Sequence, residues 1–297
     1  MRESLIALCL LLLISGTAFA ENPIELTVDT GNVRGSFDYY LYWPGSSQLL
    51  SKVSGPQSQR MTVVSAKLNL DRQEYITLQY GTTGNGVKGR GDDSDWTNQG
   101  SSAKTYYGTA DYVGKQEFYN VDFGKKLSSG PNQTSRVFWG WSKHKTTNGI
   151  SNVVYSLVGG QNVGSISQPD NGSYLNGEMD GFHVGLGYDF KPADKLTLSL
   201  EAKAAYLRMR AYGHWANHSP AWNWVDSGRT WGRTLSTSLR YDFDKQTNIT
   251  LSYRYFRAKG TGMNESLDTG TGVSYLPGQV DLRYTQRSYF FGLSHTF

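Results

Sequence analysis

The sequence contains a single cysteine, Cys9, and this residue lies within a segment typical of a leader peptide. The first twenty residues combine a short charged start, an apolar run over 5–14 and an Ala-Phe-Ala ending. These are the features of a secretory signal that signal peptidase removes. We therefore expect residues 1–20 to be a signal peptide and residues 21–297 to lack cysteine. That absence excludes disulfides, thiolate metal sites and a cysteine nucleophile.

Long apolar runs are also missing beyond the leader, where no segment approaches the ~20 residues that a transmembrane helix requires. Mean hydropathy is −0.50, and 13% of the residues are aromatic alongside 34 glycines. The formal net charge of +4 is small and not clustered, so no nucleic-acid partner is expected. A hydrophilic, aromatic-rich, exported chain of this kind is either a soluble β-sandwich or a membrane β-barrel.

Side chains of alternating polarity recur at the two-residue period of a β-strand. In segments 235–243 and 248–256, aliphatic and aromatic residues alternate with Ser, Thr, Arg and Asp. The last strand has an apolar face that ends on the final residue: Tyr289, Phe291, Leu293 and Phe297. A strand that lies between lipid and a polar lumen has one apolar face and one polar face. The terminal aromatic residue is similar to the signature that the bacterial barrel-assembly machinery reads.

Short and long connections alternate between the expected strands. Short polar turns are predicted at 71–74, 129–132, 191–195 and 244–247, and long Gly-, Ser- and Asn-rich loops near 44–59, 81–111, 143–177, 213–232 and 259–279. Bacterial barrels combine short periplasmic turns, long outer loops and an even number of strands. Four turns and five loops give ten strands. We therefore predict one all-β domain over residues 21–297, a ten-stranded antiparallel transmembrane β-barrel in the bacterial outer membrane.

Two polar clusters in the expected outer loops contain residues suited to chemistry. The second loop holds Asp92, Asp93 and Asp95, whose carboxylates can orient a water, although a solvated loop tip is the alternative. The remaining ligands of a calcium loop are absent, so no metal is expected. The fourth loop holds His214 and His218, and imidazole can act as a general base near neutral pH. A polar loop with incidental histidines is the alternative there.

The Asp-Ser-Asp-Trp motif that begins at Asp93, with ten strands, five outer loops and a final Thr-Phe, resembles the omptins. These are outer-membrane endopeptidases of Gram-negative bacteria, in which an aspartate pair faces an Asp-x-His pair across the rim and a water between them attacks the peptide. The resemblance implies that Asp93 and Asp95 form the first pair and that Asp38 recognises a basic substrate side chain. It makes His218 or His214 the base, with no cofactor. Outer-membrane lipid and lipopolysaccharide are the partners that it implies.

The sequence departs from the omptin pattern where a carboxylate should orient the histidine. Two residues before His218 stands Ala216. Two residues before His214 stands Tyr212. Losing such a carboxylate can cost several orders of magnitude in rate, and Asp226 substitutes only if its loop folds back. Two functions therefore remain open: a surface endopeptidase that cleaves near basic residues, and a catalytically silent omptin-like barrel for binding, adhesion or membrane structure. A small channel ranks third.

Overall fold

The computed structural model describes residues 23–169, 172–216 and 219–297. Its fifteen strands are β1 (Ile24–Tyr42), β2 (Leu49–Pro56), β3 (Gln59–Asn69), β4 (Glu74–Thr83), β5 (Gly86–Asp95), β6 (Tyr106–Gly114), β7 (Gln116–Ser129), β8 (Gln133–Thr146), β9 (Gly149–Val158), β10 (Gln161–Ser167), β11 (Tyr174–Ala193), β12 (Leu196–Trp215), β13 (Trp222–Asp242), β14 (Thr247–Asp268) and β15 (Val273–Thr296). Within the described part of the chain, no helix has the length and apolarity needed to span a membrane. The expected signal peptide lies outside the described residues.

Antiparallel pairing closes ten of these strands into a ring. From β1 the ring runs through β3, β4, β7, β8, β11, β12, β13, β14 and β15 and returns to β1. The closing pair of β1 and β15 is long and unbroken, from Glu25 opposite Thr296 to Leu41 opposite Val280. Each strand of the ring therefore has a partner on both sides, which satisfies the backbone groups that lipid cannot. The ring agrees with the all-β antiparallel architecture and the strand number predicted from the sequence.

Four strands of the ring continue outward after a short break. β2, β5, β6 and β9 follow or precede β3, β4, β7 and β8 in the chain and pair with one another in matching order. Most of the sequence predicted as long loops is therefore strand. Between β5 and β6, for example, the irregular connection is confined to residues 96–105. Glycine suggested a loop here, but it allows close backbone approach, since a Cβ on Gly91 would lie 2.1 Å from the Ser54 carbonyl oxygen.

The four short turns lie where the sequence places them, at residues 70–73, 130–132, 194–195 and 243–246. Two of them are closed by an aspartate side chain. Asp71 Oδ1 accepts hydrogen bonds of 2.6 Å from the backbone N–H groups of the second and third residues after it. Asp244 does the same at 2.7 Å. Asp favours such turns because its carboxylate mimics the missing backbone acceptor.

Outward side chains form an apolar band around the barrel. On β11 every second residue is a large exposed hydrophobic side chain: Phe182, Val184, Leu186, Tyr188 and Phe190. Tyr206 and Trp231 mark the outer boundary, with ring centroids 5.2 Å apart, and the Arg229 guanidinium lies over Tyr206. A band with aromatic edges is what a lipid-facing barrel surface requires. Three segments extend outward beyond this band. They are β5, the part of β13 that precedes Trp231 and the part of β14 that follows Lys259.

The interior of the barrel has a polar level and a packed level. A polar cavity of about 270 Å³ includes Glu201, Lys203, Arg240 and Arg254 in its lining. Side chains from many strands are packed together outward of it, including Phe37, Leu207, Met209, Leu282 and Tyr284, each at most 3% exposed. The charged lining of the cavity agrees with the polar lumen expected from the alternating strands.

Candidate functional site

Beyond the packed level the barrel contains a second and larger cavity, an outer cleft of about 760 Å³. Residues of β1, β2, β5, β13, β14 and β15 contribute to its walls. Most of the lining is apolar, and three carboxyl groups are set into it: Asp93, Asp95 and Glu265. None of the described lining residues is a lysine or an arginine. The described lining is therefore predominantly apolar and combines acidic groups with no lysine or arginine.

The aspartate pair expected from the sequence lies on one wall of this cleft. Asp93 and Asp95 project inward from β5, paired in register with Val53 and Ser51 of β2. Oδ1 of Asp93 is buried and has no hydrogen-bond partner among the described residues. Burial, followed by the negative charges of Asp95 and Asp92, raises the pKa of Asp93 well above the usual aspartate range. Asp93 therefore holds a proton more tightly than an exposed carboxylate does.

A second acidic group lies in the wall formed by β13 and β14. Asp226 and Glu265 are paired in register and only 0% and 1% exposed. The Tyr39 hydroxyl donates a 2.6 Å hydrogen bond to Glu265 Oε2. Burial raises the pKa of both carboxyls, and the charge of Glu265 raises that of Asp226 further. Asp95 is close enough to contribute to the raised pKa of Tyr39, so the two acidic groups approach the same phenol.

Three tryptophans complete the cleft. Trp215 and Trp224 have ring centroids 5.8 Å apart, and Tyr39 lies 6.2 Å from Trp224 on its other side. Trp222 lines the same cavity at the rim. The ring of Trp224 covers Gly213 of β12, where a Cβ would meet it at 1.9 Å. All three indoles therefore line the cleft and do not belong to the aromatic edge of the apolar band.

His214 lies on the other face of β12 from the cleft. Its neighbour Trp215 points inward, so the two-residue period of the strand directs His214 outward. There its Nδ1 lies 2.7 Å from Oδ1 of Asn223 and its ring stacks on Tyr174 at 5.4 Å. This position is a correction to its expected place as a base in the site. His218, the other candidate, lies outside the described residues, and no imidazole of the described part of the chain lines the cleft.

Asp38 also points away from the cleft. On β1 the inward residues are Phe37 and Tyr39, so the side chain between them faces outward. Its two carboxylate oxygens accept hydrogen bonds from the hydroxyls of Ser54 at 2.6 Å and Ser36 at 2.9 Å. This position corrects the expectation that Asp38 recognises a substrate side chain. The physical reason is again strand alternation, which separates adjacent residues onto opposite faces.

A buried ammonium group fixes the strand that presents the aspartate pair. Lys88, on β5, is 1% exposed, and its Nζ lies 2.6–3.1 Å from five oxygens: Gln57 Oε1, Lys115 O, Thr146 Oγ1, Thr147 O and Asn148 Oδ1. These acceptors lie at three of the breaks between inner and outer strands. Burial lowers the pKa of Lys88 to about 7.

Within the described ranges, no three His, Cys, Asp or Glu residues are arranged to hold a metal ion.

Comparison with known proteins identifies the fold, although sequence identity to the similar structures is low. No protein-family model and no curated protein matches the chain. Among solved structures, the outer membrane protease OmpT from Escherichia coli is similar with a TM-score of 0.84 at 13% identity, covering 94% of this chain and 98% of OmpT. The translocator domain of the autotransporter NalP from Neisseria meningitidis gives a TM-score of 0.41 at 10% identity, covering 100% and 96%. The fold is therefore that of an omptin-like outer-membrane β-barrel, as the sequence predicted.

Proposed function

We propose that this omptin-like barrel binds peptides in its outer cleft and takes up segments that carry cationic side chains. The observation that carries the proposal is the combination of buried carboxyl groups and indole walls in one cavity of about 760 Å³. A buried carboxylate is costly unless a charge partner compensates it, and the described lining contains no Lys or Arg. A cationic group brought by a peptide supplies that compensation, while the apolar walls accommodate its neighbouring side chains.

The second candidate function is endopeptidase activity in the same cleft, near basic residues of the peptide. It is favoured by the position of Asp93 and Asp95, whose carboxyls lie together on the wall of the cleft and can position a water. The base in this scheme is His218. Because Ala216 stands where a carboxylate would orient that imidazole, the enzyme would be slow. No metal or cofactor takes part.

One experiment separates binding from hydrolysis. Refolded barrel is titrated with a fluorescent dibasic peptide and with the same peptide built from a reduced, uncleavable amide. We expect both to bind, and Asp95→Asn to weaken both. Asp111→Asn is the matched control, since Asp111 pairs with Arg90 and is not part of the cleft lining. No binding of either peptide by a demonstrably folded barrel rejects the proposed function.

Cleavage is then measured by mass spectrometry on the natural peptide. If the barrel is an endopeptidase, Asp93→Ala and His218→Ala abolish product, while His214→Ala, on the outward face, does not. Ala216→Asp should raise the rate if His218 is the base. Binding without cleavage by the parent protein and by Ala216→Asp rejects the endopeptidase candidate and leaves the binding function in place.

We also propose lipopolysaccharide as the lipid partner of the outward surface. Arg34 lies directly opposite Arg287 on β1 and β15, and Arg233 lies directly opposite Arg257 on β13 and β14. All four side chains are on the exposed face near the outer edge of the apolar band. Like charges in directly opposite positions destabilise a sheet on their own. Phosphate groups of a bound glycolipid would relieve that repulsion through charge-assisted hydrogen bonds.

A further inference from the structure

The aromatic residues of the outer cleft form a continuous surface beside the carboxyl groups. Trp224 contacts Trp215 on one side and Tyr39 on the other, with interplanar angles of 46° and 49°. Trp222, 37% exposed, extends this surface to the rim. The phenol of Tyr39 is also the hydrogen-bond donor to Glu265, which places a carboxyl next to the aromatic surface.

Two polar atoms of residues that line the cleft are buried without a hydrogen-bond partner among the described residues. Oδ1 of Asp93 is buried without a hydrogen-bond partner among the described residues. The indole N–H of Trp224, a residue only 5% exposed, has no partner among them either. Native structures leave few buried polar atoms unpaired, and those that remain call for an explanation.

The composition of the lining discriminates between kinds of cation. A primary ammonium is strongly hydrated and needs several hydrogen-bond acceptors in place of its water. Lys88 shows what such a group requires in this protein, since its Nζ is surrounded by five oxygens. The cleft instead offers mainly apolar and aromatic side chains with a few carboxyls. Aromatic faces attract a weakly hydrated cation through their quadrupole, and the attraction is larger when the site is desolvated.

We propose that the outer cleft selects a bulky, weakly hydrated organic cation, an alkylated ammonium group on a short polar or apolar body, over the simple ammonium of lysine. The inference rests on the proposed use of the same cleft for cationic peptides and names the head group that the cleft prefers. In this arrangement the alkylated head contacts the indole faces of Trp215 and Trp222. The carboxyls of Glu265 and Asp93 supply the negative charge.

The first test uses small molecules and therefore does not depend on peptide binding. Barrel in alkyl maltoside, a detergent without ammonium groups, is titrated with choline and with its uncharged isostere 3,3-dimethylbutan-1-ol by calorimetry. We expect choline to bind about thirtyfold more tightly than the isostere, the size of a desolvated cation–π contribution. Equal affinities, or no choline binding, overturn the inference.

Variants assign the binding to the cleft. Trp222→Leu and Glu265→Gln should each weaken choline binding several-fold. Trp231→Leu is the matched control, because Trp231 is on the same strand but 69% exposed on the lipid face. Trp222 is at the rim, so its replacement keeps the test valid if the buried Glu265 variant does not fold. Choline affinity that responds to Trp231→Leu and not to Trp222→Leu contradicts the proposed site.

A second titration links the inference to the proposed function without confounding the two. One peptide is made with lysine, with trimethyllysine and with norleucine at the same position. The inference expects trimethyllysine to bind about tenfold more tightly than lysine, and norleucine to bind most weakly. Lysine above trimethyllysine means a salt-bridge subsite, which refutes the inference and retains peptide binding. Choline binding with no binding of any peptide retains the inference and refutes the proposed function.

Discussion

The hydroxyl of Tyr39 and Oε2 of Glu265 are joined by a hydrogen bond of 2.6 Å that links β1 to β14 inside the barrel. The two strands are not neighbours, since β15 lies between them. Both residues are nearly fully buried, and Asp226 is paired with Glu265 in register. One phenol and two carboxyls thus form a compact polar group in a wall that is otherwise mainly apolar. Its integrity bears on both the stability and the charge of the cleft.

Tyr39→Phe should lower the free energy of unfolding by about 1–3 kcal/mol, because Glu265 then loses a donor in a buried position. Urea titration in lipid vesicles, followed by tryptophan fluorescence, measures the effect. Tyr42→Phe is the matched control, since its hydroxyl lies 3.4 Å from Asp281 in a part-buried contact. If both variants lose the same stability, the Tyr39–Glu265 hydrogen bond is not the source of the difference.

Binding of a cation in the cleft should strengthen as the pH rises. Burial raises the pKa of Asp93 and Glu265 above their usual values, so each becomes negative only at a higher pH than an exposed carboxyl, about 4. Deprotonation adds the charge that attracts the ligand. Choline titrations across the acidic and neutral range measure the change, with the neutral isostere as control. Affinity that falls with rising pH contradicts the role of these carboxyls.

The same shifts affect stability with the opposite sign. A carboxyl with a raised folded pKa contributes stability at pH values below its unfolded pKa, and that contribution is lost as the pH rises through the folded value. Asp93→Asn, which removes this titration, should therefore flatten the decline of unfolding free energy across the raised pKa of Asp93. The control is Asp111→Asn, outside the cleft lining. An unchanged pH profile in Asp93→Asn would falsify the assigned titration.

Lys88→Met should destabilise the barrel by about 1–3 kcal/mol at alkaline pH, since the side-chain acceptors around Nζ lose their donor. Burial lowers the pKa of Lys88 from 10.5 to about 7. Between these values the unfolded chain binds the extra proton, so wild-type stability rises with pH there. The gap between wild type and Lys88→Met should therefore narrow as the pH falls toward 7. Lys115→Met, at a side chain that is 45% exposed, is the control.

Charge should be tolerated unequally on the two faces of β14. Leu251 is 57% exposed in the apolar band. Leu251→Arg should lower the free energy of unfolding by ~2–4 kcal/mol if this position lies at the bilayer midplane. Ser252→Arg points to the interior, near the polar cavity that Arg254 lines, and should cost much less. Refolding titrations in lipid vesicles compare the two. Equal penalties would show that the faces are assigned wrongly.

Arg257→Gln should raise stability slightly in the absence of lipopolysaccharide, by about 0.2–1 kcal/mol, because it removes the repulsion from Arg233. The same change should weaken binding of lipopolysaccharide to the refolded barrel. Arg72→Gln, in a turn at the opposite end of the strands, is the control for both measurements. If Arg257→Gln binds lipopolysaccharide with the affinity of wild type, Arg257 is not part of the proposed surface.

The sequence by itself determined the barrel. Alternating polarity, short Asp-containing turns and an even strand count follow from local chemistry, and the ring of ten strands agrees with them. It also indicated Asp93 and Asp95, through the resemblance of their motif to the omptins, although it placed both residues in a loop and not in a strand. Within the apolar band the alternation shows which face of a strand points outward, because lipid requires the apolar side chains to be outside. Segments such as 182–190 therefore show their orientation without a structure.

Only the tertiary structure decided which side chains enter the cleft. Beyond the lipid both faces of a strand can be polar, so alternation around Asp38 and His214 does not show which face points into the barrel. In the structure both residues face outward. Glu265 lies past register shifts in the pairing of β14 with β15, between Gly260 and Glu265, which break the count of alternating positions. Its meeting with Tyr39, a residue 226 positions away in the chain, depends on closure of the ring. Contacts made by closure have no local signal, because nothing near either residue encodes the distance between them.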